Sequence, residues 1–518
     1  ALTVLNQART PDLRAQAIRL IMMGLGDYQL EKPSVEVYTA YEPALSLAGY
    51  QGLTRRLQKA LVNLFPSGDP TVDLEAARLL AMIEASDPGL PGKVAATFTT
   101  RSAPSSDFHY LVVFSRLRTP TVTNFTSQIA QAVLALDRKL DGLQQRPKQN
   151  WPARLAELVP ALLENDPKLA EAMVGHPDFT RAAHLHLVPL LGSERYLACA
   201  RLYLKAVRST PGFPWSEQLI DLLSTLPAEE VHPLFRVQLA NVALRDRLLI
   251  ELSPRPRLED RDRFVSGLAS PQPEVARACM SALLQLPNDT TTRTHVAALR
   301  LLRSLLSDPK EQTTRAQALL LLSHVSGQKF GVRENGGDLA RTYQPVFDWF
   351  ALKYPGLLRQ LDADVQENPA QWVQFYKTVP WTRGDRTRGE TLYVQRGCQA
   401  CHSGPRPTGP DLGGAAQRFS TTDLFDAIIF PSRDVAPPYR MTTFHLRDGQ
   451  TFTGLIAFES ADGVIVQTGV ASTVRLAESA IVSREPSTLS FMPSGLLSGL
   501  KAQDFADLHA YLKTLQPA

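Results

Sequence analysis

The chain has 518 residues but only four cysteines, Cys199, Cys279, Cys398 and Cys401. That is too few for a disulfide scaffold. No run approaches the roughly 20 consecutive apolar residues of a membrane span. No basic or acidic block stands out either. The 55 Lys+Arg nearly balance the 51 Asp+Glu, for a net charge of +4, which gives no argument for nucleic acid or a membrane surface as partner. Apolar residues at 44% and charged residues at 20% are ordinary for a soluble globular protein. A single hydrophobic core stops growing at about 250–300 residues, so at least two domains are expected. The chain starts at Ala1 and runs straight into helical pattern. A processed mature form, or a piece of a longer precursor, would start this way.

Strand-type alternation is almost absent from Ala1 to about Tyr343. Helices of ordinary length are punctuated instead by Asp, Pro and Gly. In "TPDLRAQAIRLIMMGLGD", Thr10 and Pro11 supply a capping residue and a first-turn proline. Leu13, Ala17, Ile18 and Ile21 follow at helical spacing. Met22, Met23 and Met82 read as core. "DPTVDLEAARLLAMIEASDPGLPGKVAATF" repeats the same grammar, as does "ENDPKLAEAMVGHPDFTRAAHLHLVPLL". These helix pairs with Asp-Pro punctuation resemble HEAT repeats, which stack into α-solenoids. His184 and His186 are two residues apart, which points them in different directions on a helix, so they read as ordinary surface or core residues. Cys199 and Cys279 lie among apolar helix residues and read as buried structural thiols. An aromatic-rich stretch, residues 344–383, is expected to hold a helix or two that dock the helical domain onto the C-terminal domain.

Chemistry concentrates in "GCQACHSGPRPTGPDL", residues 397–412. Cys398, Cys401 and His402 form C-x-x-C-H, the c-type haem attachment motif. Two thiols at this spacing can form thioethers to the two vinyl groups of one porphyrin edge. The adjacent imidazole can then reach the iron. A zinc site would need further ligands at matching spacing, and none is near. A redox dithiol would call for a strand before the motif and a helix after it. Here a helix precedes and a Gly/Pro loop comes after.

The flanks resemble class I cytochrome c. "GDRTRGETLYVQRGCQACH" is similar to that family's first helix and haem motif, with Gly389 and Tyr393 where the first helix packs on the last. "KAQDFADLHAYLKTL" is similar to the last helix, with Leu508, Tyr511 and Leu512 on one face. "TGPDLGG" resembles the Gly-Pro-x-Leu loop containing Pro410 and Leu412. The resemblance implies that the Pro410 carbonyl accepts the Nδ1 proton of His402 and orients the ring.

Two methionines come after the motif. Met492 lies just before the last helix, where a class I ligand loop would stand, and Pro493 holds it extended. Met441 begins a strand and reads as packed. Met492 is therefore the expected sixth ligand, with His445 as its rival. The span from His402 to Met492 is long because residues 440–485 alternate polar and apolar. Asp448-Gly449 and Asp462-Gly463 mark hairpin-type turns, so four or five antiparallel strands are expected. Tyr439 and Arg440, at the entry, are either haem-propionate contacts or plain surface residues.

More narrowly, the last 135 residues or so resemble the c-type haem domain of the planctomycete/verrucomicrobial type. The motifs are Phe430-Pro431-Ser432, Asp448-Gly449 with Gly454, Ser490 to Leu496, and Asp507 to Leu512. His509 departs from the pattern. The expected fold is mainly α: a HEAT-like solenoid over 1–343, docking helices over 344–383, and a cytochrome domain over 384–518 with its β insertion. The resemblance implies one covalent haem c, single-electron transfer with His402/Met492 iron ligation, and a periplasmic or otherwise exported setting. It also implies a redox partner, such as a β-propeller dehydrogenase, and a downstream electron acceptor. Two other readings stay open: an open-site haem enzyme or gas sensor, and a scaffold whose haem is mainly structural.

Overall fold

Helix Pro11–Leu25 shows how the helical grammar is realised. Pro11 occupies the first turn, where a missing N–H leaves no bond unmade. Gly26 closes the helix at φ 88°, with its N–H directed to the carbonyls of Met22 and Met23. The buried stripe runs through Ala15, Ile18, Met22 and Leu25. Leu13 and Met23, which read as inward-facing in the sequence, are 44% and 51% exposed. At 3.6 residues per turn both fall outside that stripe. Met82 is fully buried.

The computed structural model describes residues 1–26, 36–141, 151–270, 272–288, 292–307, 309–357, 361, 369–403, 408–448, 450–460, 462–469, 472–492, 496–497 and 500–516. It is mainly helical, with one small antiparallel sheet towards the C-terminus. The chain divides into two compact units, residues 1–226 and 227–518. This boundary falls inside the helical stretch 1–343, so the helices from Ala228 onward belong with the C-terminal unit.

In the first unit, helices pack on neighbours one or two places along the chain. Pro11–Leu25 lies on Pro70–Met82, and Pro70–Met82 lies on Pro104–Arg116. Pro104–Arg116 in turn meets Thr126–Asp141 and Trp151–Asn165. His184, on a 3-10 helix, is buried. It donates to the Asp178 carbonyl and faces Asp137 at 3.2 Å.

The second unit continues the pattern. Val242–Leu252 packs on Pro273–Gln285, and Pro273–Gln285 packs on Gln312–Ser326. Cys279 is fully buried here, as Cys199 is in the first unit. A Cβ on Gly267 would lie 2.4 Å from the Cys279 sulfur, so that close helix approach requires glycine. The Arg315 guanidinium is fully buried against Glu334, at 2.8 and 2.9 Å, and the Tyr343 hydroxyl donates to the same carboxylate at 2.7 Å.

The sheet has strand order β4-β3-β2-β1-β5, every pair antiparallel. Its strands are β1 (Arg440–Leu446), β2 (Thr451–Ser460), β3 (Gly463–Gln467), β4 (Thr473–Ala477) and β5 (Ile481–Ser490). β2 is shared. Thr451 to Gly454 pair with β1, and Leu455 to Ser460 pair with β3. Gly454 stands at the changeover, where a Cβ would meet the Gln467 carbonyl oxygen at 2.2 Å. Phe444, Val464, Val466 and Leu476 form the sheet's own core. Met441 is fully buried. The turn at Asp462 is tied by Ser460 and Arg475, at 2.5 and 2.6 Å. Gly449 of the other expected turn lies outside the described residues.

Side chains of the helical region hold this sheet. Gln272 donates its amide to the carbonyls of Thr453 (3.0 Å) and Thr468 (3.2 Å). Lys310 reaches Ser483 at 2.8 Å and pairs with Glu485. The helix Pro369–Tyr376 delivers Trp372, Phe375 and Tyr376 onto the core around Phe425 and Phe505.

Candidate functional site

The motif begins at a helix end. Helix Arg386–Gln395 is capped by Asp385, whose carboxylate accepts from the N–H groups of Thr387 and Arg388. Gly397 then takes φ 77° and turns the chain into the short helix Cys398–His402. Glycine suits that left-handed position, because a Cβ is disfavoured there. One helical turn therefore carries Cys398, Cys401 and His402. Cys398 leans on the core that contains Tyr393, Phe425 and Phe505.

His402 donates Nδ1–H to the Pro410 carbonyl oxygen at 2.8 Å. This fixes the tautomer and leaves Nε2 as the nitrogen through which the ring can bind a metal. Gly409 lies directly against the ring. A Cβ there would stand 2.7 Å from His402 Cε1. The Gly409 N–H donates to the Cys401 carbonyl at 2.9 Å, which holds loop to motif. Leu412 packs on the same core as Cys398. Residues 404–407 lie outside the described residues.

Burial sets the protonation states. It lifts the Cys398 thiol to about 11. It also raises Cys401, against the opposing influence of the Thr408 hydroxyl. Burial lowers His402, while the bond to Pro410 works the other way. The turn thus presents two protonated thiols and a neutral imidazole near pH 7. A redox dithiol depends on a depressed thiol pKa, the reverse of what this environment produces.

Around the turn, helix Arg386–Gln395 crosses the last helix, Ala502–Leu512, at close range. The rings of Tyr393 and Tyr511 are 5.2 Å apart. Asp507, fully buried, accepts from the Asp385 N–H at 2.8 Å and faces Arg388 at 3.4 Å. His509 is buried between Trp381 and Phe425, which lowers its pKa to about 4.

Met492 is half-buried, and its N–H donates to Ser490 Oγ at 3.1 Å. Pro493 to Gly495 lie outside the described residues. Downstream of them, the Leu496 carbonyl accepts from Arg396 at 3.2 Å, and Leu497 enters the core that Cys398 touches. Arg396 is two residues before Cys398, so the segment after Met492 is tied to the entrance of the motif. Tyr439, Arg440 and His445 make their contacts elsewhere. Arg440 is exposed and donates Nε to the Val435 carbonyl at 2.9 Å. Tyr439 closes a short 3-10 turn with Ala436. His445 meets Thr451 Oγ1 at 3.3 Å, and its Nε2 is buried with no hydrogen-bond partner among the described residues.

Sequence reasoning named the Gly-Pro-x-Leu loop but gave its Gly409 no role, and it did not single out Arg396. The glycine of "TGPDL" was a usable signal, because a ring-to-backbone approach excludes a side chain. Arg396 carried no local signal. Among the described residues, no three or more His, Cys, Asp or Glu side chains converge to hold a metal ion. No helix of the described residues is long and apolar enough to cross a membrane. No protein-family model matches the chain, and a search of curated proteins finds no match.

Proposed function

We propose that the chain is a c-type cytochrome that passes single electrons through one covalently held haem. Cys398 and Cys401 would carry the thioethers, and His402 would bind the iron through Nε2. The carrying observation is the 2.8 Å bond from His402 Nδ1 to the Pro410 carbonyl, made from the turn that bears both thiols. The fit rests on the donor set and on the space beside the ring. Both cysteines are free thiols, and Gly409 leaves room against the imidazole where a Cβ would intrude.

When bound, the haem supplies the one-electron Fe(III)/Fe(II) couple. The protein's part is positional. Pro410 holds the imidazole in one orientation and raises its basicity as a ligand. The crossing of helices Arg386–Gln395 and Ala502–Leu512 keeps the motif turn on a packed core, so little rearrangement accompanies a change of charge. Met492, on a segment tied back to Arg396, is the proposed sixth ligand. His445 is the second candidate, because its buried Nε2 has no described partner.

In this reading the C-terminal unit carries a class I cytochrome-like domain of the planctomycete/verrucomicrobial type. The helices packed one upon the next form a HEAT-like solenoid that docks a redox partner, such as a β-propeller dehydrogenase. Export follows from covalent haem attachment. Optical spectra of the purified protein test the proposal. A sharp reduced α band, a weak sulfur–iron band when oxidised and no response to carbon monoxide are expected. A high-spin spectrum that shifts with carbon monoxide would replace electron transfer by chemistry or sensing at an open iron.

A further inference from the structure

Helix Val242–Leu252 approaches the Cys398–His402 turn to within 8 Å, Cα to Cα. Arg245 lies in the first turn of that helix. By helical phase it sits among Leu244, Leu248, Leu249 and Leu252, all buried. Its Nε is sealed from solvent with no hydrogen-bond partner among the described residues. The guanidinium makes no hydrogen bond or ion pair with any described residue.

The nearest charges make this arrangement stranger. Arg263, on helix Arg261–Gly267, is close enough to repel Arg245, and it has no ion pair among the described residues either. Asp246 is the adjoining carboxylate, but it accepts from Ser270 Oγ at 2.7 Å and offsets the repulsion only in part. Burial and Arg263 together lower the pKa of Arg245. A half-buried guanidinium whose Nε has no partner among the described residues, held beside a second cation, carries a cost that an anion at this position would offset. Arg440, the basic residue the sequence offered for this task, is exposed and bonded to a backbone carbonyl.

We propose that Arg245, supported by Arg263, is the cationic contact for the carboxylate edge of the haem held at Cys398–His402. The helical array then forms one wall of the haem site. This contact rests on the proposed haem function.

The test is the reduction potential of the purified, haem-loaded full chain, followed by optical redox titration. Arg245→Gln is expected to lower the potential, because a positive charge that favours the reduced haem is removed. Arg245→Lys should keep most of the wild-type value. Arg475→Gln, at the exposed Asp462 pair on β4, should change nothing. Where Arg245→Gln prevents folding, Arg263→Gln serves instead, since Arg263 is exposed. A smaller shift in the same direction is expected from it. Equal potentials for the wild type and both Gln variants would overturn the assignment. So would a gain in melting temperature of the wild type on adding inorganic phosphate that Arg245→Gln abolishes while leaving the potential alone. That result would give the pair to a free anion. A wild-type chain with no covalent haem would instead fail the haem reading itself, and with it this contact.

Discussion

A Cβ placed on Gly389 would lie 2.0 Å from the carbonyl oxygen of Asp507. The two helices that clasp the motif therefore touch backbone to backbone, and glycine is the residue that permits it. Gly389→Ala should destabilise the C-terminal unit by about 1–3 kcal/mol or more, the usual scale for forcing atoms into a packed contact. Thermal unfolding followed by circular dichroism would read the loss. An unchanged melting temperature would mean that the crossing has room to part.

Cys398→Ala and Cys401→Ala should each remove one attachment point. The double variant should leave no haem on the chain after denaturation, as read by intact-protein mass and haem staining of a denaturing gel. The fold should survive better than in Gly389→Ala, because alanine fits both positions. Retention of covalent haem in the double variant would remove the basis of the proposed function.

Met492→Ala and His445→Ala separate the two candidates for the sixth ligand. If Met492 binds the iron, its loss abolishes the sulfur–iron band, lowers the potential and opens the iron to carbon monoxide. His445→Ala should then leave the spectrum as it was. The opposite pair of results would give the position to His445.

Arg315 and Glu334 offer a test independent of any cofactor. Arg315 is fully buried, and breaking such a pair from one side leaves an uncompensated charge. Arg315→Met should cost about 3–5 kcal/mol in chemical denaturation. The bonds from Arg315 and Tyr343 hold the Glu334 carboxyl below its ordinary pKa. Its contribution to stability is therefore complete above the unfolded value, about 4.3. It is lost as pH falls through the lower folded value. Glu334→Gln should flatten that acid limb of the stability curve, and an identical limb in both proteins would refute the assignment.

Gly409→Ala probes the ring contact. The added methyl must displace His402, which is expected to weaken the bond to Pro410 and change the iron's spectrum with little effect on the melting temperature. An unaltered spectrum would show that the loop yields instead.

Local order was legible in the sequence wherever the physics is local. Helix starts such as Thr10-Pro11 and the alternation across β1 to β5 depend on near neighbours. So does the closeness of residues 409–412 to His402, because the loop closes within eight positions. The division at 226/227 was not legible. It is set by contacts such as Gln272 with Thr453, 181 positions apart. Met23 failed for a smaller reason: among successive apolar residues, composition cannot say which faces in. Arg245 was invisible because its lack of a partner is a property of the packed neighbours, not of the residues beside it in the chain.

The amide of Gln272 also bears on encounters between one chain and another. β2 changes partners between Gly454 and Leu455, and the carbonyls of Thr453 and Thr468 lie at that break, covered by the side chain that precedes helix Pro273–Gln285. Uncovered strand carbonyls are templates for further strands. A C-terminal fragment expressed without the helices around Gln272 would carry that break open to solvent. Its characteristic failure would then be self-association through the sheet, growing with protein concentration, before any loss of helix content.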